Sequence, residues 1–279
     1  MRIGQPTGLQ VAFLAFAVML LAAPLSSAAI RALALEGALL TLVQKGGHLF
    51  IAGALIVAIP HMRRPVSKML SVPIPRSMRR EVVAAWLLKL AAAFGGVAAL
   101  ALWFLVQEGP ARVESMTVDV DRAVVNAYSG PGLVVLFLST TIGPLIEEIV
   151  FRGFIYRAFE RQWGWVVSLL ATSALFGLYH PHFWSAFTSS VILICVLRRT
   201  GSLWAPILVH MFYNFMLWWP LLGQYAFPHG VVLTDPWSWL FHGICLAFAV
   251  IAVPAYVHMS RERDVTPTLF LEPNGALQK

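Results

Sequence analysis

The sequence predicts an all-α fold, a polytopic bundle of about eight transmembrane helices in a single integral membrane domain over residues 1–279. Three observations carry that expectation. Of 279 residues, 59% are hydrophobic and 12% charged, and the mean hydropathy is +0.75, which leaves too little polar surface to clothe a water-soluble globule. Apolar runs approaching the roughly 20 residues that cross about 30 Å of hydrocarbon recur along nearly the whole length. The basic residues, which make the net charge +7, collect in short segments between those runs instead of forming a stripe with interleaved aromatics. Nucleic acid is therefore not an expected partner, whereas the lipid bilayer is.

The spans fall at 9–30, 46–61, 82–106, 131–157, 165–180, 183–198, 203–222 and 237–259. The first opens behind a thin basic region, Arg2, and its apolar core over 9–35 exceeds the 7–15 residues of a signal-peptide core, so it is expected to be retained. The second and third flank a segment, 62–80, that holds Arg63, Arg64, Lys68, Arg76, Arg79 and Arg80, and the positive-inside rule assigns that segment to the cytoplasm. Counting onward puts 107–130 outside, where Glu108, Glu114, Asp119 and Asp121 outnumber Arg112 and Arg122. The 157–162 turn with Arg161 and the Arg198–Arg199 pair then fall inside, with both termini and a polar tail over 260–279. The span at 183–198 is short and follows the tight His180-Pro181-His182 connection, so a re-entrant or strongly tilted helix is an alternative there. Cys195 and Cys245 sit in apolar helices without disulfide or metal spacing and read as small hydrophobes. Trp163, Trp165, Trp184, Trp204, Trp218, Trp219, Trp237 and Trp239 read mostly as interfacial anchors.

Ionisable and amide residues inside spans are costly, about 2.5–3.5 kcal/mol for a carboxylate on insertion scales, and mark pathways, relays or reactive centres. The set is Glu147, Glu148 and Arg152 on the fourth span, His180 at the end of the fifth, and His210 and Asn214 on the seventh. Glu148 and Arg152 are four residues apart, as are His210 and Asn214, so each pair shares a helix face. At 1.5 Å per residue, Glu147, His180, His210 and Asn214 lie about 16, 22, 10 and 16 Å from the inner surface, depths at which they can meet. Such a set suits hydrolysis by an activated water. Glu147 would be the general base, His180 would help hold the water, and His210 with Asn214 would receive the oxyanion. Arg152 would neutralise Glu148, making that pair a scaffold.

Structural readings stand beside these. Glu148–Arg152 also fits an interhelix clamp, His180 an interfacial hydrogen-bonded residue, and His210 with Asn214 interhelical glue. Their co-occurrence at one depth favours a site. His182 could take the role of His180, whereas His48, His61, His229, His242 and His258 lie near loops or span ends and are set aside. Glu147, Glu148, His180 and His210 would make an acceptable zinc set, but no span holds His-Glu-x-x-His, and the arginine beside the glutamates disfavours a dication. No metal or other cofactor is expected. A proton- or cation-coupled transporter or non-enzymatic scaffold would call for inverted repeats and broken helices in matching halves, which the sequence lacks.

Three segments, Glu147-Glu148-Ile-Val-Phe-Arg152, Phe176-Gly-Leu-Tyr-His180 and His210-Met-Phe-Tyr-Asn214, together resemble the ordered motifs of the CPBP family of CAAX-protease and bacteriocin-processing (Abi) intramembrane proteases. The resemblance covers about residues 130–220, and no motif position departs from the pattern. It implies a glutamic intramembrane endopeptidase in which Glu147 and His180 activate water, His210 and Asn214 stabilise the oxyanion, and Glu148 and Arg152 support the site. It implies a membrane-associated protein or peptide substrate, the family being associated with prenylated C-termini, bacteriocin maturation or immunity, and C-terminal sorting or anchor signals. A bacterial inner membrane is the expected location.

Overall fold

The computed structural model describes residues 8–34, 37–113, 137–180, 182–216 and 236–261, and every regular element among them is helical. In chain order these are α1 (Gly8–Ala32), α2 (Gly37–Ala58), α3 (Pro60–Leu70), α4 (Arg79–Gln107, after a 3-10 turn at Arg76–Met78) and α5 (Ile142–Glu148). A π-helical stretch over Ile149–Tyr156 follows, then α6 (Arg157–Tyr179), α7 (Phe183–Thr200), α8 (Trp204–Met216) and α9 (Pro236–Met259). The expected loop 107–130 from residue 114 on, the tail from residue 262 on, Trp218, Trp219 and His229 lie outside the described residues.

The segment 62–80, expected to be a loop, is helical over most of its first half. Proline restricts the residue before it to extended backbone, and Ile59 duly sits at φ −83°, ψ 113°, ending α2 and letting Pro60 start α3 in the first-turn position it tolerates. The chain turns by 102° between α2 and α3. The basic residues that suggested a loop occupy one side of this helix: Arg63, Arg64 and Lys68 are exposed, while Met62 and Met69 are fully buried. A second break falls at Gly164, whose φ of +72° divides α6 at the expected boundary between fourth and fifth spans.

Eight spans are not confirmed. Among the described residues, three helical segments are long and apolar enough to cross a membrane, Gly8–Ala32, Arg76–Gln107 and Pro236–Met259, or up to four if the bent α2–α3 pair is one span. The reason lies in how the helices are layered. α1, α4 and α9 leave large apolar side chains at the surface, among them Phe13, Leu21, Trp103, Val106, Val250 and Ile251, as lipid-facing helices do. The π stretch is buried at every residue, as is α7 from Ser190 to Arg198. Helices enclosed by protein do not need an unbroken apolar span.

α4 and α9 approach to backbone contact at Gly95, where a Cβ would lie 2.6 Å from the Leu246 Cα. At one pole of the bundle the helix ends are tied by arginines. Arg198 pairs with Glu160, donates to the Tyr156 hydroxyl at 3.0 Å and to the Ser260 carbonyl at 3.1 Å. Arg199 pairs with Glu81 and donates to the Met259 carbonyl at 3.0 Å. Ser202 Oγ and Trp204 Nε1 donate to the carbonyls of Val72 and Leu70 at 2.7 and 2.8 Å. The basic segments at 62–80, 157–162 and 198–199 therefore sit together.

Candidate active site

α5 and the π stretch carry the first cluster. Glu148 and Arg152 are both fully buried, and Arg152 Nη1 donates to Glu148 Oε1 at 3.0 Å across one turn. Single-turn π geometry is uncommon and recurs at functional sites, and here it follows directly on the glutamate pair and contains the arginine. The guanidinium also lies 4.4 Å over the Phe176 ring.

His180 is placed by its neighbours in sequence. Pro181 follows it, so His180 takes extended backbone, φ −107° and ψ 150°, and ends α6. Its Nδ1 donates to the Phe176 carbonyl at 2.7 Å, which turns Nε2 toward Glu147 Oε2, 3.7 Å away. The glycine of this motif has a packing reason: a Cβ on Gly177 would meet the Phe183 ring at 2.8 Å and its carbonyl at 3.1 Å. Phe183 opens α7, so the close contact at Gly177 sets where the chain re-enters the bundle beyond His180.

From α8, His210 reaches the same point. Its Nδ1 is 2.8 Å from Glu148 Oε1 and its Nε2 is 3.9 Å from Glu147 Oε2. Both imidazole Nε2 atoms thus face one carboxylate oxygen at separations too long for a direct hydrogen bond, leaving room for a water that donates to Glu147 Oε2 and to one Nε2. Asn214, one turn on, is half-buried and donates from Nδ2 to the Ser139 carbonyl at 2.9 Å, tying α8 to the helical residues 137–140 just before α5. His182 is exposed ahead of α7 and takes no part in the cluster.

The structure brings in one residue the sequence reading passed over. Lys89 of α4 is 2% exposed, its Nζ 3.9 Å from the centroid of the Tyr213 ring on α8, and it interacts electrostatically with Glu148, Arg152 and Glu147. A lone lysine in Ala-Trp-Leu-Leu-Lys-Leu-Ala-Ala was the available signal. His242, set aside as a span-end residue, is fully buried within α9 between Phe94 and Phe241, its Nδ1 donating to the Ser238 carbonyl at 2.8 Å. Cys195 is buried and Cys245 half-buried, both free thiols. Among the described residues no group of three His, Cys, Asp or Glu side chains is arranged to hold a metal ion.

An all-helical membrane protein with a cluster of two carboxylates, two imidazoles and two cations, buried except for partly exposed Glu147 and His180, is the class that fold and site define. Its motif-bearing part has known relatives: residues 129–216 match the family described as Type II CAAX prenyl endopeptidase Rce1-like, bearing out the resemblance drawn from the three motifs. The chain is similar to YdiL of Bacillus subtilis, named as a candidate membrane peptidase, with 27% identity over 96 residues, 33% of this chain and 39% of that protein. It is also similar to the UPF0177 protein YbdI of Lactococcus lactis, with 35% identity over 92 residues, 31% of this chain and 49% of that protein. In each case the match spans less than half of the relative's length. No solved structure matches the chain.

Proposed function

We propose that the chain is a glutamic-type intramembrane endopeptidase that hydrolyses a peptide bond of a membrane-associated protein or peptide. The observation that carries this reading is the convergence of His180 Nε2 and His210 Nε2 on Glu147 Oε2, at 3.7 and 3.9 Å. A water held there loses a proton to Glu147 as its oxygen bonds to the scissile carbonyl carbon. The oxyanion develops on the α8 side, where Asn214 keeps one amide N–H beyond its bond to Ser139, while His210, donating from Nδ1 to Glu148, offers Nε2 to the water as an acceptor. Glu147 then returns the proton to the leaving nitrogen as the C–N bond breaks, giving an acid and an amine. Glu148, holding both Arg152 and His210 by one oxygen, supports the site without exchanging protons.

The family match over 129–216 supports the substrate class, and processing of a C-terminal sorting or anchor signal is the form we favour. The basic pole faces the cytoplasm of a bacterial inner membrane with both termini on that side. The motif-bearing helices lie within the bilayer, sheltered by α1, α4 and α9, in a bundle of about eight helical passes.

The test is cleavage of a membrane-anchored candidate peptide by detergent-purified wild type, Glu147→Ala and Glu148→Ala, with and without 1,10-phenanthroline. Cleavage that survives the chelator and disappears in Glu147→Ala is expected. Full activity in Glu147→Ala sinks the reading, and loss on chelation restored by zinc replaces it with a zinc-dependent peptidase.

A further inference from the structure

We infer that Lys89, on a helix that ends before the family-matched segment begins, is a positioning residue of this site: Tyr213 holds its ammonium where the cluster of two carboxylates needs a second cation. The role deepens the endopeptidase reading and rests on it. Glu147 and Glu148 are adjacent, and Arg152 is committed to Glu148 through Nη1. One guanidinium for two carboxylates would leave a net negative charge in a water-poor interior. The described charged and titratable side chains that interact with the lysine are Glu147 and Glu148 from α5, Arg152 from the π stretch, His180 at the end of α6 and His210 from α8. From α8, Tyr213 lies beneath it and His210 links Glu147 to Glu148.

The geometry argues against a bland lysine. It lies ten residues into α4, about 15 Å along the axis from Arg79, and a side chain only 2% exposed is not reaching for either surface. Its seat on an aromatic face leaves the ammonium fixed in direction. Tyr213 sits between His210 and Asn214, so the contact also fixes the α8 turn that carries both motif residues against α4. A family match confined to 129–216 has no position for this residue, which α4 contributes from forty residues upstream.

The test uses the full chain in detergent with Lys89→Met and Lys89→Arg beside wild type and Glu147→Ala. Lys89→Met is expected to lower kcat about 30-fold or more with KM within about twofold, and Lys89→Arg to restore kcat to within about fivefold. Wild-type kcat in Lys89→Met, or equal loss in both variants, overturns the role while leaving the endopeptidase reading intact. A melting cycle over Lys89→Met, Glu148→Gln and the double variant decides it without activity. Neutralising both partners is expected to cost less than the sum of the singles, and strict additivity of the Tm changes overturns the proposal. Absence of cleavage by wild type would fail the endopeptidase reading alone, with the melting cycle still deciding whether Lys89 balances the carboxylates.

Discussion

His210 Nδ1 lies 2.8 Å from Glu148 Oε1, the same oxygen that receives Arg152 Nη1 at 3.0 Å. The second glutamate is therefore more than the arginine's partner, because it also fixes which nitrogen of the α8 imidazole faces Glu147. Replacing Glu148 by Gln leaves Arg152 buried without its counter-ion, which should cost about 3–5 kcal/mol and lower the Tm in detergent. Glu147→Gln should instead reduce cleavage by about 10²–10⁴-fold while the Tm holds. Melting and turnover measured on both variants separate the two glutamates, and equal Tm losses would contradict the division of roles.

His180 and His182 flank one proline but face different surroundings. His180→Ala should lower kcat/KM by about 100-fold, because its Nε2 stands 3.7 Å from Glu147, whereas His182→Ala should stay within about twofold. Side-by-side kinetics decide it, and the reverse order would move the water site toward α7.

Much of this site was legible because motif spacing encodes helix faces. Glu148 with Arg152, and His210 with Asn214, fall four apart, and the sequence Phe176 to His180 places a carbonyl one turn behind the imidazole that uses it. Lys89 was not legible in the same way, since a run is judged by its average and one charge in an apolar helix barely moves it. α3 is hidden in the charge of 62–80 because its signal runs around the helix and not along it, with Met62 and Met69 buried opposite Arg63, Arg64 and Lys68. The number of passes is less legible for a related reason: hydropathy reports contact with lipid, and the π stretch and the 190–198 segment of α7 are buried in protein.

Gly95 offers a test of the packing. A methyl group there would press on Leu246 Cα and N at 2.6 and 2.8 Å, and backbone cannot swing aside as a side chain can. Gly95→Ala should cost about 1–3 kcal/mol, whereas Gly96→Ala, which meets nothing within 4 Å, should be neutral or mildly stabilising. Thermal unfolding followed by tryptophan fluorescence compares the two directly.

The pair formed by Arg199 and Glu81 joins the end of α7 to the start of α4. Charge-assisted hydrogen bonds of this kind contribute about 1.5–3 kcal/mol, so Glu81→Lys should lower the Tm and the exchanged pair, Glu81→Arg with Arg199→Glu, should recover part of the loss. The Arg199 guanidinium also lies 5.5 Å from the centroid of the Tyr256 ring on α9, and a double exchange that melts no higher than Glu81→Lys would mean that this packing, not charge, holds the junction.

Tyr213 and Lys89 meet across the edge of the family-matched segment, and that contact bears on how the molecule can be divided. A fragment cut to 129–216 would keep all three motifs yet discard one of its two balancing cations, the greasy coat of α1, α4 and α9, and the carbonyls of Leu70 and Val72 that moor α8's entrance. Grafting that fragment into another scaffold would transplant the reactive groups without the charge balance that keeps them together.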